Sequence, residues 1–191
     1  FGADVEVHEA YGQTEALGLV GSCNALFEPK PDYIGRPFPG QDIEIVDTET
    51  AEPVESGEIG EIAVRHEDNP VIFKEYLNKP EQTAEKFSGE WMLTEDLGRM
   101  DEDGYVTYEG RKDDVIICSG YRISPKEMEQ TLASHEAVVH VAVIGVPDDD
   151  RGEIPKAFVE LAQGYDHSDE LRDALVDYVR DRLAKYEYPR A

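Results

Sequence analysis

Apolar and polar positions alternate most clearly at Asp42–Val46 (DIEIV) and Glu61–Arg65 (EIAVR). Side chains along a strand point to opposite faces in turn, so a period of two predicts two strands with one buried face each. Glu55–Glu58 between them predicts a turn. Upstream, Val5–Ala10 predicts a short strand that leads into a polar loop, Tyr11–Glu15, closed by an apolar stretch. Ile34–Pro39 is punctuated by Pro and Gly. Lys79-Pro80-Glu81 opens a short helix running to about Phe87, because Pro is pre-organised for the first helical position. Trp91–Leu93 and Tyr105–Tyr108 predict strands, the second after the turn Asp101–Gly104. Residues 33–109 are therefore β-rich.

The texture changes after Gly110. Val115–Cys118 predicts a buried strand. Ser124, Pro125 and Glu127 give an N-cap, a first-turn proline and the acidic partner of a capping box, so a helix starts there. Val138–Val146 and Pro155–Leu161 predict strands joined by the loop Asp148–Gly152. From Ser168 onward, Leu171, Leu175, Val176, Val179 and Leu183 recur at helical spacing. The order β-α-β-β-α predicts a small α+β unit of about 80 residues. It joins the β-rich part near Gly110–Asp114.

Composition narrows the function. The chain has 191 residues, with 18 Lys+Arg against 43 Asp+Glu and a net charge of −25. With 40% hydrophobic residues it can still build a core. The charge argues against a nucleic-acid binder or an anionic membrane surface, since phosphate repels it. No apolar run reaches the length of a membrane span. The first residues carry no basic or apolar leader, so no signal peptide is expected, and a start at Phe1 suggests a piece of something longer. The acidity is diffuse and only eight basic residues are Lys, a pattern similar to proteins of salt-loving organisms, where high salt screens self-repulsion. Cys23 and Cys118 form no disulfide framework, which fits a reducing cytoplasm. His8, His66, His135, His140 and His167 lack metal-ligand spacing.

Four segments carry a resemblance. They are Tyr11-Gly12-Gln13-Thr14-Glu15, Trp91–Asp96 (WMLTED), Tyr108–Asp114 (YEGRKDD) and Ser119–Ile123 (SGYRI). Together, in this order and spacing, the chain resembles the adenylate-forming superfamily of acyl- and aryl-CoA synthetases. Arg151-Gly152-Glu153 with Lys156-Ala157-Phe158, and Lys185–Arg190 (KYEYPR), look most like medium-chain acyl-CoA synthetases. The resemblance spans the whole chain but only the C-terminal third or so of such an enzyme. It implies a mixed α+β fold: residues 1–32 end the nucleotide-binding core, 33–110 form a β-rich, barrel-like subdomain, and 111–191 form a truncated C-terminal lid.

The resemblance implies an acid–thiol ligase: ATP and a carboxylic acid give an acyl-adenylate, and the acyl group passes to coenzyme A. ATP or AMP would be held by Glu9, Ala10, Tyr11, Gly12, Gln13, Thr14, Asp96, Arg111 and Arg122. Tyr11 would stack on adenine, Thr14 would meet the α-phosphate, and Glu15 would hold Mg²⁺, a hard cation that prefers oxygen. Gly12 suits a close approach of backbone to nucleotide. Thr14, Glu15 and Arg122 are the catalytic candidates. Asp96 would anchor the ribose diol. The family usually has Gly just before it, where this chain has Glu95; either the backbone is ordinary here or the ribose site is altered. Asp113 is the hinge. Ser119, Gly120 and Tyr121 would line the tunnel for the thiol arm, and Arg151, Arg182 and Arg190 would meet coenzyme A phosphates. Cys118 reads as a small core residue.

The phosphate-gripping loop of the family would lie upstream of Phe1 and the adenylation lysine downstream of Ala191, so this fragment by itself is expected to be inactive. Another adenylate-forming enzyme (an aryl-CoA ligase or an amino-acid-activating domain) remains an alternative, as does a non-catalytic nucleotide- or coenzyme A-binding module. The acid and the oligomeric state, a homo-oligomer included, stay open.

Overall fold

The computed structural model describes residues 7–184 and 187–190. Contacts divide the chain into two compact units, Phe1–Glu109 and Gly110–Ala191. Both are sheet-based, and the architecture is mixed α+β.

In the first unit, β1 (Ala10–Gln13) and β2 (Ala16–Gly21) form an antiparallel hairpin, and β3 (Arg36–Pro37) pairs with β2. The expected strand at Val5–Ala10 begins outside the described residues. Tyr11–Gln13, expected as loop, are strand: Tyr11 pairs with Val20 and Gln13 with Ala16, leaving Thr14 and Glu15 as the two connecting residues. The second sheet contains β4 (Ile43–Val46), β5 (Gly60–Arg65), β6 (Phe87–Ser88), β7 (Trp91–Met100) and β8 (Val106–Arg111). Its order is β4-β5-β7-β6, with β8 also on β7. The barrel-like expectation is corrected here: among the described residues no pairing joins β4 back to the far side, so the sheet stays open. The helix α1 (Pro80–Glu85) starts at Pro80 but stops before Phe87, which pairs with Met92 instead.

The alternation in β4 and β5 sends Ile43, Ile45, Ile62 and Val64 inward. They meet Ala16, Leu19 and Val20 from the first sheet, with Met92 and Val106. Full burial of one such aliphatic side chain contributes about 1.5–3 kcal/mol, and a one-residue slip would turn them all to the opposite face. The opposite face of β5 is also covered, by Val46 and Trp91 around Ala63. Glu61 shares that face and is only 1% exposed.

In the second unit the elements are β9 (Ile116–Cys118), β10 (Tyr121–Ile123), α2 (Pro125–Ala133), β11 (Val138–Asp148), β12 (Gly152–Leu161) and α3 (Asp169–Arg180). The sheet order is β10-β9-β12-β11. Met128 and Leu132 of α2 and Leu175 and Val179 of α3 pack on Ile116, Cys118, Ile123, Val138 and Val143. Cys118 is thus a buried core residue. Ser168 caps α3 by accepting the Leu171 N–H at 3.1 Å. Ser124 stands at the start of α2 with extended backbone, but its side chain makes no cap hydrogen bond, so the expected capping box does not form. From α2, Glu129 Oε1 accepts the Val143 N–H of β11 at 2.8 Å. No helix among the described residues is long and apolar enough to cross a membrane.

Candidate functional site

Tyr11, Gln13 and Asp96, three of the candidate nucleotide residues, meet at an irregularity in β7. Its pairing with β5 runs from Ala63↔Leu93 to Glu61↔Leu97, so β7 advances four residues while β5 advances two. Extra residues of this kind bulge a strand and re-aim its side chains. Glu95 sits in the bulge with φ 65°. A non-glycine residue in this left-handed region costs roughly 1–2 kcal/mol. The backbone before Asp96 is therefore not ordinary, and the site keeps a glycine-type conformation without a glycine.

Three groups hold the bulge. Glu95 N–H donates to Glu61 Oε1 at 2.8 Å. The Glu95 carboxylate pairs with Lys86 Nζ at 3.0 Å, and Lys86 is 7% exposed. Thr94, fully buried, donates its hydroxyl to the Ile62 carbonyl at 2.6 Å and accepts the Asp96 N–H at 3.2 Å. Thr94 lies within the WMLTED segment, with no role assigned to it from sequence, and neither Glu61 nor Lys86 belongs to a motif segment. Glu61 stands at a polar position of an alternating run, where period two predicts exposure to solvent.

The bulge turns Asp96 inward, where it is 6% exposed. Tyr11 donates its hydroxyl to Asp96 Oδ2 at 2.7 Å across 85 positions of sequence. Gln13 Nε2 donates to the Thr94 carbonyl at 3.0 Å, a second tie between β1 and the bulge. The Tyr11 ring lies 6.3 Å from that of Tyr108, tilted by 41°. Burial, with the Asp96 carboxylate beside it, pushes the Tyr11 hydroxyl well above its ordinary range, so it remains a donor.

Thr14 is exposed and Glu15 half-buried at the hairpin tip. Tyr76 donates to Glu15 Oε1 at 2.5 Å, and Phe73 N–H donates to the Glu15 carbonyl at 2.7 Å. Burial, then the Glu15 carboxylate, pushes the Tyr76 hydroxyl up to about 12. Tyr76 is a further residue that sequence reasoning missed. Gly12 has a reason within the hairpin: a Cβ there would lie 2.8 Å from Gly18 N and 3.0 Å from the Ala16 carbonyl. Glu9 N–H donates to Ser22 Oγ at 2.7 Å, and Ala10 pairs with Gly21. Among the described residues no group of three or more metal-ligating side chains occurs. A single carboxylate such as Glu15 suits Mg²⁺, which keeps several waters and takes one or two carboxylates with substrate phosphates.

The second unit has its own cluster. Ser119 and Gly120 connect β9 to β10 with φ of 52° and 84°. Positive φ at both central residues is the type I′ pattern of tight hairpins. Gly120 is therefore required by the turn, and a Cβ on it would meet nothing within 4 Å. Ser119 N–H donates to the Arg151 carbonyl at 2.9 Å, and Cys118 pairs with Gly152. Arg151 is set by Asp148, whose Oδ1 accepts its N–H at 2.9 Å. Ser119, Gly120, Tyr121 and Arg151 thus share one end of the sheet. Arg122 follows in β10 and is exposed. Arg111 ends β8, and its Nε donates to Asp113 Oδ1 at 2.9 Å. Arg182 lies over the Tyr178 ring at 3.5 Å, and Arg190 donates to the Pro155 carbonyl and the Tyr188 hydroxyl. Lys185 and Tyr186 of the KYEYPR segment lie outside the described residues.

Residues 1–77 match the AMP-binding enzyme family, and residues 127–191 match the AMP-binding enzyme C-terminal domain. An uncharacterised acyl-CoA ligase of Bacillus subtilis (strain 168) is 43% identical over 186 residues, 97% of this chain and 35% of that protein. A mitochondrial acyl-coenzyme A synthetase of Rattus norvegicus is 43% identical over 190 residues, 97% of this chain and 32% of that protein. The crystal structure of ATP-bound MatB from Rhodopseudomonas palustris matches with a TM-score of 0.87 at 34% identity, over 96% of this chain and 35% of that one. An amide bond synthetase from Marinactinospora thermotolerans matches with a TM-score of 0.82 at 34% identity, over 96% of this chain and 36% of that one. The chain spans about a third of the length of the curated relatives it matches. With both of its family profiles matched in order and its fold shared by ATP-bound members, this chain belongs to the AMP-binding, adenylate-forming enzyme family.

Proposed function

We propose that this chain is the C-terminal part of an ATP-dependent acyl-CoA synthetase that makes an acyl-adenylate from a carboxylic acid and transfers the acyl group to coenzyme A. The observation that carries the reading is the Tyr11–Asp96 hydrogen bond of 2.7 Å, which joins two of the four motif segments at one place. In this reading residues 1–32 end the nucleotide core, 33–110 form the β-rich subdomain and 111–191 form the lid, with Asp113 at the hinge.

Asp96, oriented by Tyr11, accepts hydrogen bonds from the ribose diol, with Arg111 reaching the same hydroxyls. The Tyr11 ring, beside Glu9, Ala10, Gly12 and Gln13, faces the adenine. Thr14 meets the α-phosphate, and Glu15, its carboxylate set by Tyr76, supplies one oxygen to Mg²⁺. Mg²⁺ would neutralise charge on the phosphates. Arg122 faces the phosphate end of the nucleotide. Such groups lower the barrier mainly by positioning and by fixed charge where negative charge develops. Ser119, Gly120 and Tyr121 receive the thiol arm, and Arg151, Arg182 and Arg190 its phosphates. The low lysine content and net charge of −25 support a salt-rich cytoplasm as the setting.

The test is ATP–pyrophosphate exchange by the full-length protein over carboxylic acids of graded chain length. Acid-dependent exchange is expected, with short or medium chains preferred; no exchange with any acid would overturn the reading. The likeness to an amide bond synthetase favours a second reading for the acceptor alone. Amide formation from pre-formed acyl-adenylate and an amine, with no thioester from coenzyme A, would select it.

A further inference from the structure

We infer that Glu61 is a positioning residue for the nucleotide: its buried carboxylate holds the left-handed bulge at Glu95, and the bulge sets Asp96 against Tyr11. The inference rests on the acyl-adenylate reading and deepens it by naming what fixes the ribose anchor.

Glu61 is 1% exposed, on a face of β5 that it shares with Ala63 and that Val46 and Trp91 cover. A carboxylate in such a place is costly unless strong hydrogen bonds offset its lost hydration. A hydrophobic residue would pack there more cheaply, so the acid requires a partner that only an acceptor can serve. That partner is the Glu95 N–H, 2.8 Å from Oε1. The bulge lifts this amide out of the regular β5–β7 ladder, and the Glu61 side chain takes the place of a backbone carbonyl. Bonds to an ionised acceptor are shorter and stronger than neutral ones. Glu95 is held a second time by Lys86 through its own carboxylate, at 3.0 Å. Backbone and side chain of Glu95 are thus pinned separately, from β5 by Glu61 and from the end of α1 by its C-cap residue Lys86. Asp96 is the next residue, and its own N–H is fixed by Thr94 at 3.2 Å. If the Glu95 amide loses its acceptor, the left-handed conformation loses the restraint on its backbone N–H, and the Asp96 carboxylate turns away from Tyr11.

The experiment uses the full-length protein with Glu61→Met, which keeps the length but removes the acceptor, and Glu61→Gln, which keeps an acceptor oxygen. Two readouts are taken: KM for ATP and for coenzyme A, and hydrogen exchange at the Glu95 amide. Glu61→Met should raise KM for ATP about tenfold or more, leave KM for coenzyme A within about twofold, and abolish protection of the Glu95 amide. Glu61→Gln should restore most of the ATP affinity and the protection. Unchanged KM for ATP with an unprotected amide, an unchanged amide in Glu61→Met, or equal losses for ATP and coenzyme A would each overturn the positioning role. If Glu61→Met does not fold, the wild-type protein and Glu61→Gln decide: a Glu95 amide that exchanges as fast as in an unstructured peptide refutes the inference. A wild-type protein with a protected amide but no acid-dependent pyrophosphate exchange would instead refute the acyl-adenylate reading, while the amide data still judge the bulge.

Discussion

Replacing Glu95 by glycine and by alanine separates backbone strain from side-chain pairing. Both changes remove the carboxylate that meets Lys86 at 3.0 Å, so both lose that ion pair equally. They differ in what they place at φ 65°. Alanine there costs roughly 1–2 kcal/mol, whereas glycine adopts the region freely. Glycine also gives the unfolded chain more freedom, which offsets about 0.4–1 kcal/mol of that advantage. The net expectation is that Glu95→Gly is more stable than Glu95→Ala by about 0.5–1 kcal/mol. At a urea m-value near 2 kcal/mol/M this is a midpoint difference of about 0.3–0.5 M. The assay is urea unfolding of the 191-residue chain followed through Trp91, its single tryptophan, which is buried in β7 four positions from the change. Equal midpoints, or a more stable alanine variant, would refute the claim that residue 95 is strained. A glycine variant more stable than the wild type would go further and show that the Lys86 pair contributes less than the strain removes.

Other expectations follow from the same geometry. Asp96→Ala in the full-length protein should raise KM for ATP ten- to hundredfold, the loss of about 1.5–3 kcal/mol of charge-assisted hydrogen bonding, with KM for coenzyme A unchanged. Gly120→Ala should cost about 1 kcal/mol in thermal stability because φ is 84°, and should depress thioester formation more than pyrophosphate exchange. Asp113→Pro should fix φ near −65° and impair one half-reaction more than the other; equal loss in both would remove Asp113 from the pivot role. Lys30 and the Tyr105 and Asp103 N–H groups outweigh burial and hold the Asp101 carboxyl below its ordinary value of 3.8. A depressed carboxyl stabilises the fold above its unfolded value and loses that contribution as pH falls through the folded one. Lys30→Met should therefore lower the melting temperature at pH 7 and leave it nearly unchanged at pH 2; an equal drop at both would show that packing of the Lys30 stem, not charge, is responsible.

The pattern of apolar positions was enough to place β4, β5, β11 and β12 because each has alternating or continuous apolar residues over five or more positions. It predicted the start of β7 at Trp91 but lost the strand after Leu93. Thr94, Glu95 and Asp96 form a polar run, and period-two reasoning assigns polar runs to the surface. Thr94 and Asp96 are in fact buried, satisfied by Ile62, Tyr11 and each other. β1 reads as loop because it is four residues long with one large apolar side chain. β10 gives no strand signal for a similar reason, although its residues lie in a motif segment. The motif segments gave Tyr11, Asp96, Ser119, Gly120 and Arg151 as candidates. They could not give Glu61, Lys86 or Tyr76, which act by holding other residues and carry no local pattern of their own.

Among the described residues the sheet of the second unit ends in β11, eleven residues that pair with β12 on one side. Such an edge offers open backbone groups to any strand that arrives, including one from another molecule. Exposed Val139 and Ile144 make it more adhesive. Two features blunt it. Pro147 has no N–H to offer, and Glu129 occupies the Val143 N–H at 2.8 Å, so an incoming strand would have to displace a carboxylate. Repulsion between molecules carrying a charge of −25 does the rest at neutral pH. That protection fades near the isoelectric point of about 4.3. Self-association of this protein on acidification should therefore begin along β11, with intermolecular strand pairing replacing the Glu129 contact.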